Sequence, residues 1–165
     1  MEADIRRPAD FLARDPGWEA RCRDSFARQE FMRLVGGELS EIEPGRCMVS
    51  LPMRAELTQQ RGFLHGGVTA ALADTAAGFA AYSLMPAGSS PLTVEFKINL
   101  MAPAVGDLFV ARAEVVRPGR TLIVVETGIA AQSDGLEKPI AKMLATMMCM
   151  QDTPDRPGAR AGGLR

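Results

Sequence analysis

The chain has one histidine, one tryptophan, one tyrosine and three cysteines among 165 residues, and only 5% of it is aromatic. Cys22, Cys47 and Cys149 are an odd set without CxxC or zinc-type spacing, so they offer no metal site and read as reduced thiols of a cytoplasmic protein. Charge of one sign is lacking too. With 19 Lys and Arg against 20 Asp and Glu, no basic field invites nucleic acid. Met1 to Asp10 is charged and has no apolar core of the kind a signal peptide needs. There is no internal repeat and no Gly-rich phosphate loop of the GxxxxGK type. The one long run with a single charge, Gly66 to Met85, is at about twenty residues long enough to span a membrane. Yet Ala and Gly dominate it and Asp74 sits near its middle, so it reads instead as a helix enclosed by its own protein.

Asp74 is what stands out in that run. Between Arg61 and Glu95 it is the only residue with a formal charge at neutral pH, and Ala70, Ala71, Leu72, Ala73, Ala76 and Ala77 surround it in sequence. Burying an ionised carboxylate without a partner is unfavourable, so the group is expected to have a raised pKa. Such acids concentrate at working sites, where the raised pKa suits a base or nucleophile. A purely structural acid, hydrogen-bonded to a strand, is the other reading of the same residue.

Around this run the chain reads as a single α+β domain over residues 18 to 151, with a flexible leader at 1 to 17 and a Pro/Gly/Arg tail, disordered by composition, at 152 to 165. Trp18 to Leu34 has helical spacing, ended by Gly36-Gly37. Glu38 to Ile42 and Arg46 to Pro52 read as strands about a Pro44-Gly45 turn, and Arg54 to Leu64 as a polar loop into the buried helix. Further on, Val94, Phe96, Ile98 and Leu100 alternate with Thr93, Glu95, Lys97 and Asn99, the period of a half-buried strand. Leu108 to Val116 and Thr121 to Ala131 flank a turn at Arg117-Pro118-Gly119-Arg120, and Pro139 to Met150 is a last, Met-rich strand. The expected architecture is an antiparallel sheet wrapped around one long central helix, with an additional N-terminal helix.

The segment Gly62-Phe63-Leu64-His65-Gly66-Gly67-Val68, with Asp74-Thr75 following and the strand Thr93-Val94-Glu95-Phe96-Lys97-Ile98-Asn99, resembles the hotdog-fold acyl-CoA thioesterases of the phenylacetate-degradation (PaaI-like) type. The resemblance runs from about Gln59 to Met150. It implies Asp74 as general base or nucleophile, the Gly66 N–H as the donor that polarises the thioester carbonyl, and Thr93 as holder of the attacking water. Gln59 falls where many members have Asn. His65 reads as a helix-entry residue rather than the base. The substrate would carry coenzyme A, with no separate cofactor. Gly67, Arg61, Arg117, Arg120, Phe63 and Tyr82 are then candidates for substrate or coenzyme A contacts, although arginines placed like Arg117 and Arg120 are more often just solvated turn residues.

Thioester hydrolysis needs a nucleophile and a stabilised oxyanion, and a helix start offers unpaired N–H groups. Gly66 and Asp74, eight residues apart on one helix, stand about 12 Å apart along its axis. One thioester carbon cannot lie against both, so donor and base must come from two antiparallel copies of the helix. A homodimer with shared sites is expected, and the resemblance allows a tetramer built from it. Two other functions fit the same pattern: a hotdog enoyl-CoA hydratase or dehydratase, and a non-catalytic acyl-binding domain.

Overall fold

A computed structural model describes residues 11–156, and the expectations for 1–10 and 157–165 fall outside that range. Helices α1 (Trp18–Ala27) and α2 (Glu30–Val35) lead into the β1 (Glu38–Glu43) and β2 (Arg46–Pro52) hairpin. A single 3-10 turn at Ala55–Leu57 precedes the central helix α3 (Gly66–Tyr82). Four strands complete the domain: β3 (Ser90–Leu100), β4 (Leu108–Pro118), β5 (Leu122–Ser133) and β6 (Leu136–Met150). All six lie in one sheet in the order β1-β2-β4-β5-β6-β3, every neighbouring pair antiparallel. The sheet curls around α3, which is the hotdog arrangement.

Alanine is what lets helix and sheet approach so closely. Ala73, Ala76, Ala77 and Ala80 are fully buried on the sheet side of α3, against Val49, Leu51, Phe109, Ala111, Val125 and Ala145. The opposite side is different. Gly67, Ala70, Ala71, Asp74, Thr75 and Gly78 follow the i, i+3, i+4, i+7, i+8, i+11 rule of one helical stripe, and none of the six is buried. The chain therefore encloses only one side of α3, where the sequence suggested that it would enclose nearly all of it. α3 also stops at Tyr82, short of Met85, with the Ser83 hydroxyl donating to Ala80 O and accepting from the Gly45 N–H.

Several boundaries differ from the periodicity reading. The expected helix over 18 to 34 is two helices, because Gln29 is extended (φ −75°, ψ 96°) between them. Within 11 to 17, Asp15 accepts from the Gly17 N–H and pairs with Arg21 at 2.9 Å. Asp155, expected in the disordered tail, accepts from Ser25 and Arg28 on α1. The β5–β6 hairpin turns at Asp134-Gly135, both at positive φ (51° and 74°), and the Asp-Gly pair is the local signal for such a turn.

The largest difference lies in β3. Its register against β6 slips between Thr93, opposite Met147, and Glu95, opposite Thr146, so Val94 is an extra residue in a bulge. The strict alternation expected from sequence would place Thr93 on the outer face with Glu95 and Lys97. The bulge instead puts Thr93 in phase with Phe96, Ile98 and Leu100 on the helix side and leaves Val94 49% exposed.

Candidate active site

The site begins where the polar loop enters α3. His65 is the N-cap of the helix, extended at ψ 134°, and its Nδ1 accepts from the Gly67 N–H at 2.9 Å. An accepting Nδ1 carries no proton, so the ring holds its hydrogen on Nε2 and serves as a cap. The Gly67 N–H is consumed by that bond. The Gly66 N–H, first of the helix, meets no acceptor among the described residues. It is left free at the positive end of the helix dipole.

Backbone bonds hold the preceding loop. His65 N–H donates to Leu57 O at 2.9 Å, Leu64 N–H to Ala104 O at 3.1 Å, and Gln59 N–H to Phe63 O at 2.9 Å. Gly62, at φ +80°, makes the turn that a side chain would strain. Gln59 Oε1 accepts from the Arg61 N–H, which leaves the amide nitrogen as the end able to donate elsewhere. Arg61 itself is exposed, its guanidinium 5.7 Å from the Phe63 ring centroid. Gln59, Phe63 and Gly66 share a cavity of about 180 Å³ with Leu64, Thr69, Leu100, Ala102, Pro103, Ala104 and Ile140. Of these, Leu100 and the 102–104 loop carry no motif of their own. Only their position beside Gly66 reveals them.

The acid lies further along the same helix. Asp74 is half-buried in the middle of the open stripe, and the Thr93 hydroxyl donates to its Oδ1 at 2.9 Å. Burial pushes the Asp74 carboxyl above the usual carboxylate range, and the Thr93 hydrogen bond pulls it part of the way back. No cation among the described residues neutralises it. Thus one chain carries two separate groups: a donor with Gln59 and Phe63 at the helix start, and a carboxylate with Thr93 about 12 Å along the axis.

Three candidates stand apart from both groups. Tyr82, at the far end of α3, is 2% exposed, with Arg21 stacked 4.2 Å over its ring and Phe79 edge-on at 6.3 Å. It is core in this chain, because the N-terminal helix covers it. Arg117 and Arg120 flank the β4–β5 turn, and Arg120 lines a small cavity with Met85 and Cys149 beyond the end of α3. Gly119 there is not at positive φ, so the Pro118-Gly119 turn is not of type II, which needs positive φ at the glycine. Among the described residues no three His, Cys, Asp or Glu side chains gather as a metal site, and no helix is long and apolar enough to cross a membrane.

Residues 61–138 match the family described as "Thioesterase superfamily". A thioesterase family protein from Silicibacter pomeroyi shares 47% identity and a TM-score of 0.79, over 81% of this chain and 98% of that one. The chain belongs to the thioesterase superfamily. Among its curated relatives, human acyl-coenzyme A thioesterase 13 is 29% identical over 109 residues, 65% of this chain and 77% of the relative. The 1,4-dihydroxy-2-naphthoyl-CoA hydrolase of Listeria monocytogenes is 29% identical over 102 residues, 62% and 83% of the two chains. Membership makes this hotdog domain a thioester hydrolase.

Proposed function

We propose that the enzyme hydrolyses acyl-CoA thioesters in two identical sites of a homodimer, each assembled from the Gly66 end of one α3 and the Asp74 segment of the other. One observation carries this reading. The free Gly66 N–H and the unneutralised Asp74 lie on the same rod, too far apart for one carbonyl to touch both. The bare stripe of Gly67, Ala70, Ala71, Thr75 and Gly78 gives a second rod a close approach beside Asp74. Two relatives whose names specify CoA thioesters support the substrate class.

In this mechanism the Gly66 N–H, aided by the Gln59 amide, takes the developing oxyanion; one such donor contributes roughly 3–4 kcal/mol in acyl-transfer sites. Asp74 acts as base on a water that Thr93 helps to hold, or attacks the thioester carbon itself. With water as the attacker, its oxygen adds to the carbonyl carbon to give the oxyanion, whose collapse breaks the C–S bond, and the proton taken from water passes to the leaving thiolate. With Asp74 as the attacker, the same collapse expels the thiolate and leaves a mixed anhydride that water hydrolyses to the free acid and the regenerated carboxylate. Arg61, Arg117 and Arg120 are the cations offered to the coenzyme A phosphates. The capped His65 leaves no free acid–histidine pair of the kind that hydration of an enoyl group would use. The test is thiol release over a panel of acyl-CoAs with wild type and Asp74→Ala. Release by the wild type alone supports the assignment; equal release by both proteins removes Asp74 from the chemistry.

A further inference from the structure

We infer that Leu100 sets the size of the acyl group, as the outer wall of the cavity beside Gly66; this rests on the thioesterase site proposed above. Leu100 is the last residue of β3, opposite Ala141, and the phase set by the Val94 bulge turns it to the helix side. There it is 59% exposed, an apolar side chain left largely in water beside the one free N–H of the helix start. A methyl built on Gly66 would come 3.0 Å from Leu100 Cδ1, so the leucine lies directly against the donor's backbone. An acyl group whose carbonyl reaches that N–H must pass this side chain.

The cavity behind it has an apolar floor of Leu64, Ala104 and Ile140, each at most 8% exposed. Thr69 is buried there too, and its hydroxyl donates its proton to His65 O at 3.4 Å, which leaves it only as an acceptor. The floor is also held in place: Met101 N–H donates to Ile140 O at 2.8 Å and Leu64 N–H to Ala104 O at 3.1 Å. At about 180 Å³ the space is comparable with an apolar cavity of roughly 150 Å³ that takes up benzene. An unsubstituted ring or a short alkyl chain fits against these apolar walls. Among these walls Leu100 is the exposed, adjustable one, and its bulk decides how long a chain is accepted.

The experiment compares wild type, Leu100→Ala and Leu100→Phe on butyryl-, octanoyl- and lauroyl-CoA, reading thiol release. The same proteins are titrated calorimetrically with the matching S-alkyl-CoA thioethers, which cannot be cleaved. Leu100→Ala should raise the lauroyl-to-butyryl ratio of kcat/KM by about tenfold, Leu100→Phe should lower it by a similar factor, and thioether affinities should move with them. Ratios that stay within about twofold of wild type in both assays, with both variants folded, overturn the inference. If wild type releases no thiol from any ester, the hydrolase assignment fails separately. The thioether affinities then decide the role of Leu100 on their own, a shift in the ratio upholding it and no shift ending it.

Discussion

Thr93 Oγ1 donates to Asp74 Oδ1 across 2.9 Å and so links β3 to α3 at a carboxylate that no described cation neutralises. This bond opposes the effect of burial on Asp74, so its loss has a definite sign. In Thr93→Val the carboxyl keeps its desolvation and loses a donor, and its pKa rises further. The acid limb of the rate profile should move to higher pH, with kcat near neutrality down about tenfold. An unmoved limb would show that Asp74 does not govern it.

Asp74→Asn should trade activity for stability. Loss of the base or nucleophile lowers kcat by about a thousandfold. The native carboxyl holds its proton more tightly than the unfolded one, so stability falls as pH rises through the ordinary carboxylate range toward the raised value. The neutral amide escapes that loss. Thermal melts should place the variant above wild type at neutral pH, with the gap closing as the medium becomes acidic.

Complementation addresses the shared site. His65, at ψ 134°, already has the backbone that precedes a proline, and position 66 opens the helix. Gly66→Pro therefore deletes the N–H while keeping α3, provided Leu100 yields a few tenths of an ångström. Each parent, Gly66→Pro and Asp74→Ala, should be inactive. Refolded together in equal amounts they should recover roughly a quarter of wild-type activity, since half the dimers are mixed and each has one intact site. A mixture as inactive as its parents would refute donor and acid acting across two chains.

Arg21 offers a stability test remote from the chemistry. Its Nη2 donates to Met85 O at 2.8 Å, its guanidinium covers Tyr82, and Asp15 holds it from the other side. It closes the C-terminal end of α3 from a different helix. Chemical denaturation of Arg21→Ala should show a loss of about 2 kcal/mol, with kcat/KM unchanged.

The cysteines should be inert while the protein is folded. Cys22, Cys47 and Cys149 are free and at most 5% exposed, and burial pushes the Cys22 thiol up to about 12 and raises Cys47 as well. An aromatic disulfide reagent should label none of the three in native protein and all of them in denaturant.

How much of this was legible in the sequence follows from what each signal reports. The long Ala-rich helix and the antiparallel strands follow from composition and period, and Asp74 declares itself as the only charge in a long stretch. Position across the sheet is another matter. Period-two counting would turn Thr93 outward, because one residue, Val94, breaks the phase, and a bulge leaves no mark in a run of alternating side chains. Tyr82 follows the same logic: an aromatic at the end of a helix tells nothing about the arginine, sixty-one residues earlier, whose carbonyl bond and stacking cover it. Leu100 and Ile140 were invisible as cavity walls for the same reason. Their nearness to Gly66 is created by strand pairing, not by spacing along the chain.

The distance along α3 between its free amide and its acid has a consequence for enzyme handling. With the site shared between two chains as proposed, an isolated polypeptide would possess every required functional group and still turn nothing over. Specific activity should then depend on how much protein is present, fading as the solution is diluted past the point where partners separate, and returning on reconcentration without any refolding step.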